Sequence, residues 1–389
     1  MKPSKSSELI RYAIRDVVLE AKKEEKKGKK TIYLNIGDPC AYDFEPPKEI
    51  CEGVKRALDG KYKGYAPSAG DPELRETIAR IEGCGSESVF IVAGLSEGID
   101  FAMKILLDAN ESILLPNPTY PLYITKTDTL PAKALLYECD EKWHPDPDDI
   151  RKKIQKDTKA IVVINPNNPT GAVYPRKVLE EIADIAAENG IAIIADEVYD
   201  HLIFEEGVQM HKMKDIAKDC LVFSGNSLSK NFLYPGARVG YIAIHRDRDG
   251  AFLDAFNRIC NQRLSVNWEF QRAAIGAYKM GFDFLKPSLA KLKRRRDLIK
   301  RRIEEIPGLS MASPPAALYA FIQVEGYKGS DWDFVYDFLR AEGVLTVPGS
   351  AFYKDPKKRL FFRSTLLPDE KTLGEAMGKL EKFIKTRVG

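Results

Sequence analysis

Ser224–Tyr241, SGNSLSKNFLYPGARVGY, lies between the apolar runs Leu221–Phe223 and Val239–Ile244 and sets one lysine, Lys230, among small and hydroxyl residues. Arg238 follows eight positions on, behind a Pro235-Gly236 break. A lysine held beside Ser227, Ser229 and an arginine points to an amine next to an anionic group. A turn-rich link with Lys230 in solvent fits the same residues, so the flanking chain has to decide.

Upstream, strands and helices alternate. Ile191–Ala195, IAIIA, and Ala160–Ile164, AIVVI, are near-continuous apolar runs, as expected of strands buried on both faces of a parallel sheet. The first ends in Asp196-Glu197-Val198-Tyr199. The second ends in Asn165-Pro166-Asn167-Asn168-Pro169-Thr170-Gly171, where Asn168 is a candidate donor. A carboxylate placed after five apolar strand residues is costly to bury unless a cation or donor meets it. Open parallel sheets bind ligands outside the carboxyl ends of their strands. Ile113–Leu115 runs into Pro116–Pro121, a stiffened loop from which Tyr120 projects. Val89–Val92 passes through Gly94-Leu95-Ser96 into a helix from about Glu97 to Leu107, which gathers free N–H groups and the positive helix end at one spot. With further runs near 134, 222 and 241, seven strands are expected, most separated by helices.

The two ends read differently. Residues 7–27 have apolar side chains at helical spacing and are expected to form one amphipathic helix. Thr31–Ile36 reads as a short strand stopped by Gly37-Asp38-Pro39, a turn or a place where backbone approaches a ligand closely. Pro47–Leu58 is helical. Lys63–Arg75 is a loop carrying Tyr65, with Asp71 as the cap and Pro72 as the first residue of the next helix. Beyond Ile244 the chain is mostly helical to Glu304, including Phe284–Ile303. Strands at Ala316–Val324 and Val344–Val347 and helices at Asp331–Ala341 and Asp369–Val388 then suggest a smaller α+β unit. Arg363, a charge in the apolar stretch Leu360–Ser364, reads as a ligand-facing arginine.

Composition narrows the class. The chain has 389 residues, more than one typical domain, and 44% apolar residues, with no run approaching a membrane span. Lys+Arg 60 against Asp+Glu 57 is balanced, and the cationic runs Lys22–Lys30 and Lys291–Arg296 are expected to be solvated faces rather than nucleic-acid contacts. Six cysteines without a CxxC pair and four histidines without HxxxH spacing argue against a disulfide frame or a metal site. The N-terminus lacks an apolar signal segment. A soluble, cytoplasmic protein with reduced thiols is expected, binding neither nucleic acid nor membrane. GxGxxG and GxxxxGK[ST] are both absent, so no nucleotide fold is indicated by fingerprint.

An aldehyde cofactor joined to a lysine as a Schiff base needs a carboxylate at its ring nitrogen, an anion cradle, an aromatic cover and a cation for the substrate carboxylate. Asp196, the Gly94/Ser96/Ser227/Arg238 set, Tyr120 and Arg363 can fill those places around Lys230. A nearby anion would keep the ring nitrogen protonated. Lys230 would also serve as general base and acid.

At this point the chain resembles the fold-type I pyridoxal-phosphate aminotransferases of class I/II, nearly end to end. The resemblance rests on LNIGDP (34–39), YAPSAGDPELR (65–75), AGLSEG (93–98), PNPTYP (116–121), NPNNPTG (165–171), ADEVYD (195–200), SLSKNFLYPGARVGY (227–241), VPGSAF (347–352) and FFRS (361–364). It implies a three-layer αβα large domain with a mostly parallel seven-stranded sheet, and a smaller α+β domain built from both chain ends. The implied division is 1–45 as N-terminal arm and part of the small domain, 46–285 as the cofactor-binding domain, and 286–389 as the rest of the small domain. It implies catalytic roles for Lys230, Asp196 and Tyr199. Leu95, Ser96, Ser227 and Arg238 would hold the phosphate of pyridoxal 5'-phosphate, Tyr120 would stack on its ring, and Asn168 and Tyr199 would meet its phenolic oxygen. Gly37, Asn168 and Arg363 would bind substrate. Tyr65 would reach the neighbouring subunit's phosphate, giving a homodimer with shared sites. Within the family the chain looks most like archaeal alanine aminotransferases, which implies transfer from L-alanine to 2-oxoglutarate. Aspartate and aromatic aminotransferases, a C–S β-lyase and a non-catalytic regulator are the alternatives. Departures from the usual pattern are Ala316-Ala317-Leu318-Tyr319 for Gly-Ala-Phe-Tyr, Ala237 for tryptophan and Gly98 for alanine. No second arginine for a side-chain carboxylate stands out; Arg263 lacks a motif.

Overall fold

The computed structural model describes residues 1–10, 12–354 and 359–387. Its strands in chain order are β1 (Ile32–Tyr33), β2 (Val89–Val92), β3 (Ser112–Asn117), β4 (Lys133–Glu138), β5 (Thr158–Ile164), β6 (Ala192–Asp196), β7 (Val222–Ser227), β8 (Gly240–His245), β9 (Leu309–Ser310), β10 (Tyr319–Val324), β11 (Val344–Leu345), β12 (Val347–Pro348) and β13 (Leu360–Thr365). The seven expected strands form one sheet in the order β2-β8-β7-β6-β5-β3-β4. Only β8 runs against the others, pairing antiparallel with both β2 and β7.

Both faces of this sheet are apolar. Along β5 and β6, Ile161, Val163, Ile193 and Ala195 enter one core cluster, while Ala160, Val162, Ile164, Ala192 and Ile194 enter the other. Period-two alternation between two buried faces is what makes an uninterrupted apolar run the right sequence for a central strand. Each such Val or Ile contributes about 1.5–3 kcal/mol of burial. Helices such as Leu95–Leu106 and Arg176–Glu188 supply the covering layers.

A four-stranded antiparallel sheet, β12-β13-β10-β9, belongs to the C-terminal part of the chain. β1 pairs in parallel with β11, so the first forty residues are stitched to the last fifty. Val17, Ala21 and Leu34 share one apolar cluster with Phe334, Phe338, Leu380 and Phe383.

Several expectations are corrected. The helix expected over 7–27 is two helices, Lys5–Glu8 and Ala13–Lys26, because Tyr12 takes a non-helical backbone (φ −141°, ψ 79°). Its hydroxyl then bonds Tyr120 at 2.7 Å, a long-range contact that overrides local periodicity. The strand expected at Thr31–Ile36 pairs over two residues only, since the carbonyl of Asn35 accepts from Arg363 instead of joining a ladder. The strand expected from Ala316 starts at Tyr319, after a positive φ at Ala317. Arg11 and Val388, which fall in expected helices, lie outside the described residues.

The run Lys291–Arg296 is a solvated face only in part: Lys291, Lys293 and Arg294 reach solvent, whereas its last two arginines do not. Arg295 is 1% exposed, donating to Leu367 O at 2.6 Å and to both oxygens of Asp43 at 2.8 Å, over the ring of Phe44. Arg296 is also buried, donating to Pro314 O at 2.7 Å and to Glu205. Guanidinium groups can be buried here because carboxylates and carbonyls satisfy their fixed fork of donors.

The helix Pro72–Glu82 starts as its sequence dictates. Asp71 Oδ1 accepts from Glu73 N at 2.8 Å and Leu74 N at 3.2 Å, while Oδ2 pairs with Arg272 at 3.0 Å. Asp71→Ala is expected to cost about 1–3 kcal/mol in denaturant unfolding, and Asp71→Asn, which keeps the cap, clearly less. Equal losses in the two variants would show that capping contributes nothing.

Candidate active site

Six segments converge at one edge of the seven-stranded sheet. Because β2, β3, β5, β6 and β7 run the same way and β8 the opposite way, five carboxyl ends and the amino end of β8 meet there. The residues that follow are Leu95 and Ser96 after β2, Tyr120 after β3, Asn168 after β5, Tyr199 after β6 and Lys230 after β7. Asp196 and Ser227 close their strands, and Arg238 precedes β8. All of these, with Gly37 and Arg363 from the chain ends, line one cavity of about 460 Å³. Of the expected site residues Tyr65 alone stands apart, in a separate groove with Arg263 and Trp268.

Asp196 is buried with no cation beside it among the described residues. Its carboxylate accepts from Tyr123 Oη at 3.2 Å and Val198 N at 3.4 Å. Burial outweighs those two bonds and pushes its pKa up to about 6. An anion left in this position calls for a cationic ligand atom.

Arg363 is 1% exposed in the middle of β13. Nη1 donates to Asn168 Oδ1 at 3.0 Å and Nη2 to Asn35 O at 2.6 Å, while buried Nε has no partner. The guanidinium carbon lies 4.0 Å from the Tyr319 ring centre and 4.6 Å from that of Phe352. Two aromatic faces therefore hold the plane of the guanidinium. No carboxylate lies within ion-pair distance of it among the described residues, which leaves its charge for a ligand.

The anion cradle is built at the start of Leu95–Leu106. Gly94, the N-cap, has φ +81° and no side chain to occupy the free N–H groups of the first turn. A Cβ there would collide with the Arg238 guanidinium. Arg238 is held by Ala93 O at 2.9 Å and Pro235 O at 3.0 Å. Lys230 Nζ donates to Gly37 O. At Gly37 a Cβ would overlap the Tyr319 hydroxyl, so this position admits no side chain.

Several cavity residues were not expected. Tyr319 bonds Tyr199 hydroxyl to hydroxyl at 3.2 Å. Burial raises the Tyr319 phenol, but Lys230 and Arg363 overcome it and leave the group below its ordinary pKa. Tyr12 and Arg15 come from the N-terminal segment, brought over by the break at Tyr12. Tyr123, in the helix Pro121–Thr129, does not line the cavity but donates to Asp196. Of these, Tyr319 had a sequence signal, as the tyrosine that ends the Ala316–Tyr319 stretch. Gly98, Ala237 and Ala316–Leu318 do not line the cavity. Arg263 is engaged elsewhere, by Glu97 at 3.3 Å and by Ser68 O and Ile91 O.

Among its lining residues the cavity carries four cationic side chains, Arg15, Lys230, Arg238 and Arg363, against the carboxylates Asp38 and Asp196. Such a surplus suits a ligand set with several negative charges. The family "Aminotransferase class I and II" matches residues 29–380. The chain belongs to the class I and II aminotransferases. An alanine aminotransferase structure from Pyrococcus furiosus superposes with a TM-score of 0.95 at 40% identity, covering 99% of this chain and 100% of that one. A glutamate-pyruvate aminotransferase from Haemophilus influenzae is 36% identical, over 97% of this chain and 96% of its own length. An alanine aminotransferase from Mycobacterium tuberculosis is 33% identical, over 96% and 90%.

The family's cofactor is pyridoxal 5'-phosphate, and the donor set fits it. An uncompensated carboxylate answers a protonated ring nitrogen, an uncapped helix start with Arg238 answers a phosphate, and Lys230 answers an aldehyde. The raised Asp196 has a consequence for cofactor-free protein. Between the ordinary 3.8 and about 6 the folded chain binds more protons than the unfolded one, so stability falls as pH rises through that window. Relative to Asp196→Asn, wild type should lose about 1–3 kcal/mol between roughly pH 4 and pH 7, read by denaturant unfolding. Parallel pH profiles for the two proteins would contradict an uncompensated carboxylate.

Proposed function

We propose that this aminotransferase moves the amino group of L-alanine to 2-oxoglutarate, giving pyruvate and L-glutamate. The observation that carries the reading is the pair of cations left free in the cavity, Arg363 and Arg15. Arg363, packed against two rings with Nε unpaired, binds the α-carboxylate common to every amino acid. Arg15 lines the same cavity and has no ion pair among the described residues, so it is free to meet the second carboxylate of glutamate or 2-oxoglutarate. The small donor side chain of alanine makes no demand on it. The names of the alanine and glutamate-pyruvate relatives point the same way.

In this reading Lys230 Nζ would hold the cofactor aldehyde until the substrate amine displaces it, and the freed amine would then take and return the proton at substrate Cα. Asp196 would keep the ring nitrogen protonated, the state in which the cofactor supplies an electron sink for Cα. Tyr199 and Asn168 face the phenolic oxygen, and Tyr120 covers the ring. Leu95 N–H, Ser96, Ser227 and Arg238 hold the phosphate. Gly37 and Asn168, with Arg363, orient the substrate. We also propose a cytoplasmic homodimer in which Tyr65, 78% exposed, reaches the phosphate of the neighbouring site. Residues 1–45 and 286–389 then act as one smaller unit beside 46–285, a division supported by the β1–β11 pairing. Among the described residues no helix is long and apolar enough to cross a membrane.

Purified protein with pyridoxal phosphate should form pyruvate and glutamate in equal amounts from L-alanine and 2-oxoglutarate, and no sustained pyruvate without the acceptor. Faster turnover of L-aspartate or L-tyrosine would reject alanine, and acceptor-independent pyruvate would indicate a lyase. Arg15→Ala should raise KM for 2-oxoglutarate roughly 10-fold or more with little change for alanine, whereas Arg363→Ala should raise both. Equal effects of Arg15→Ala on alanine and 2-oxoglutarate would remove its assigned role.

A further inference from the structure

Lys230 lies on a helix of four residues, Leu228–Asn231. A single turn has almost no cooperative stability of its own, so the position of the amine depends on what grips the two ends of that turn. Three buried side chains that the proposed mechanism leaves unused supply the grip: Asp200, Asn226 and Asn231.

Asn226 Oδ1 accepts from Ser227 N at 2.7 Å, at the entrance of the turn. Asn231, its last residue, donates Nδ2 to Asn226 Oδ1 at 3.0 Å and to Asp200 Oδ1. Asn226 Nδ2 donates to the same Asp200 oxygen at 3.0 Å and to Glu197 O, also at 3.0 Å. Asn231 Oδ1 accepts from His201 N at 3.3 Å. The amide orientations are fixed by chemistry, because Asp200 can only accept and the two backbone N–H groups can only donate. The segment carrying Asp196 and Tyr199 is thus cross-linked to the turn carrying Lys230. Lys212 Nζ lies 2.9 Å from the other oxygen of Asp200, Oδ2, so the buried carboxylate has a cationic partner. Lys212 is in turn 3.5 Å from buried Glu82, which accepts from Tyr241 Oη at 2.7 Å.

We propose that Asp200, Asn226 and Asn231 are positioning residues that set Lys230 and Asp196 in register across the cofactor. This rests on the reading of Lys230 and Asp196 given above. None of the three lines the cavity, so none is a catalytic residue. Their effect is on geometry, where a displacement of about 1 Å can cost up to about 100-fold in rate.

The test uses holoenzyme of Asn231→Ala and Asp200→Asn, with Leu380→Ala, a core change in the C-terminal helix, as a control for general destabilisation. Both variants should lower kcat about 10- to 100-fold. KM for L-alanine should stay within about threefold, because Arg363 is held by separate contacts. The visible circular dichroism band of the bound cofactor, which reports its orientation, should change shape in both. Leu380→Ala should lower the melting temperature and leave kcat and the band as in wild type. If Asp200→Asn does not fold, Asn231→Ala decides alone. Wild-type kcat and an unaltered band in folded Asn231→Ala would overturn the proposal. Lys230→Ala separates the two levels. Loss of its borohydride-fixable cofactor alongside a wild-type Asn231→Ala rejects the clamp only, whereas retention of that adduct rejects the reading of Lys230 and the clamp with it.

Discussion

A carboxylate buried at the end of a central strand, with no cation beside it among the described residues, is the constraint on which this molecule turns. Asp196 follows four buried apolar residues of β6 and, among the described residues, has only a phenol and a backbone N–H for hydrogen-bond partners. In a purely structural role it would be a liability, since a buried charge is tolerated only when paired. The fold places it where a ligand can supply the missing charge. The parallel run of β2, β3, β5, β6 and β7 brings five loops to the same edge, and the reversed β8 delivers Arg238 to it from the other direction. Sheet topology therefore does more than hold the core together. It converts residues from 95 to 238 into neighbours.

The chain ends complete the site with a different kind of interaction. Arg363 sits on a strand of the second sheet, and its two Nη atoms donate to Asn168, from the loop after β5, and to Asn35 O, from the N-terminal segment. Three distant parts of the chain are joined through one guanidinium. Its aromatic partners, Tyr319 and Phe352, lie 4.0 and 4.6 Å from the guanidinium carbon without consuming its charge, so the charge remains for a ligand carboxylate. Tyr319 fills a second role by occupying the space a side chain at position 37 would take.

Much of this was legible in the sequence because it depends on local pattern. The apolar runs at 160–164 and 191–195 announced strands buried on both faces, and most of the expected site residues followed such a run or a Pro/Gly break. The cap at Asp71 was readable for the same reason, since its partners lie two and three residues away. What escaped depends on contacts between remote segments. Periodicity joins residues 7–27 into one helix, and nothing local reveals that Tyr12 leaves it to bond Tyr120, 108 positions away. Arg15 was hidden by the same break. Arg295 and Arg296 looked like a solvated charge run because their partners, Asp43 and Glu205, lie far away in sequence. The clamp at Asp200 was invisible on similar grounds. Its asparagines are unremarkable polar residues until β6 and β7 pair.

The assignment of the cofactor to one lysine, at the convergence of these strands, is tested most directly by borohydride reduction of the holoenzyme followed by peptide mass mapping. A phosphopyridoxyl group is expected on the peptide containing Lys230 and on no other lysine. A modification mapped elsewhere, or no modified peptide from protein that has bound the cofactor, would contradict it.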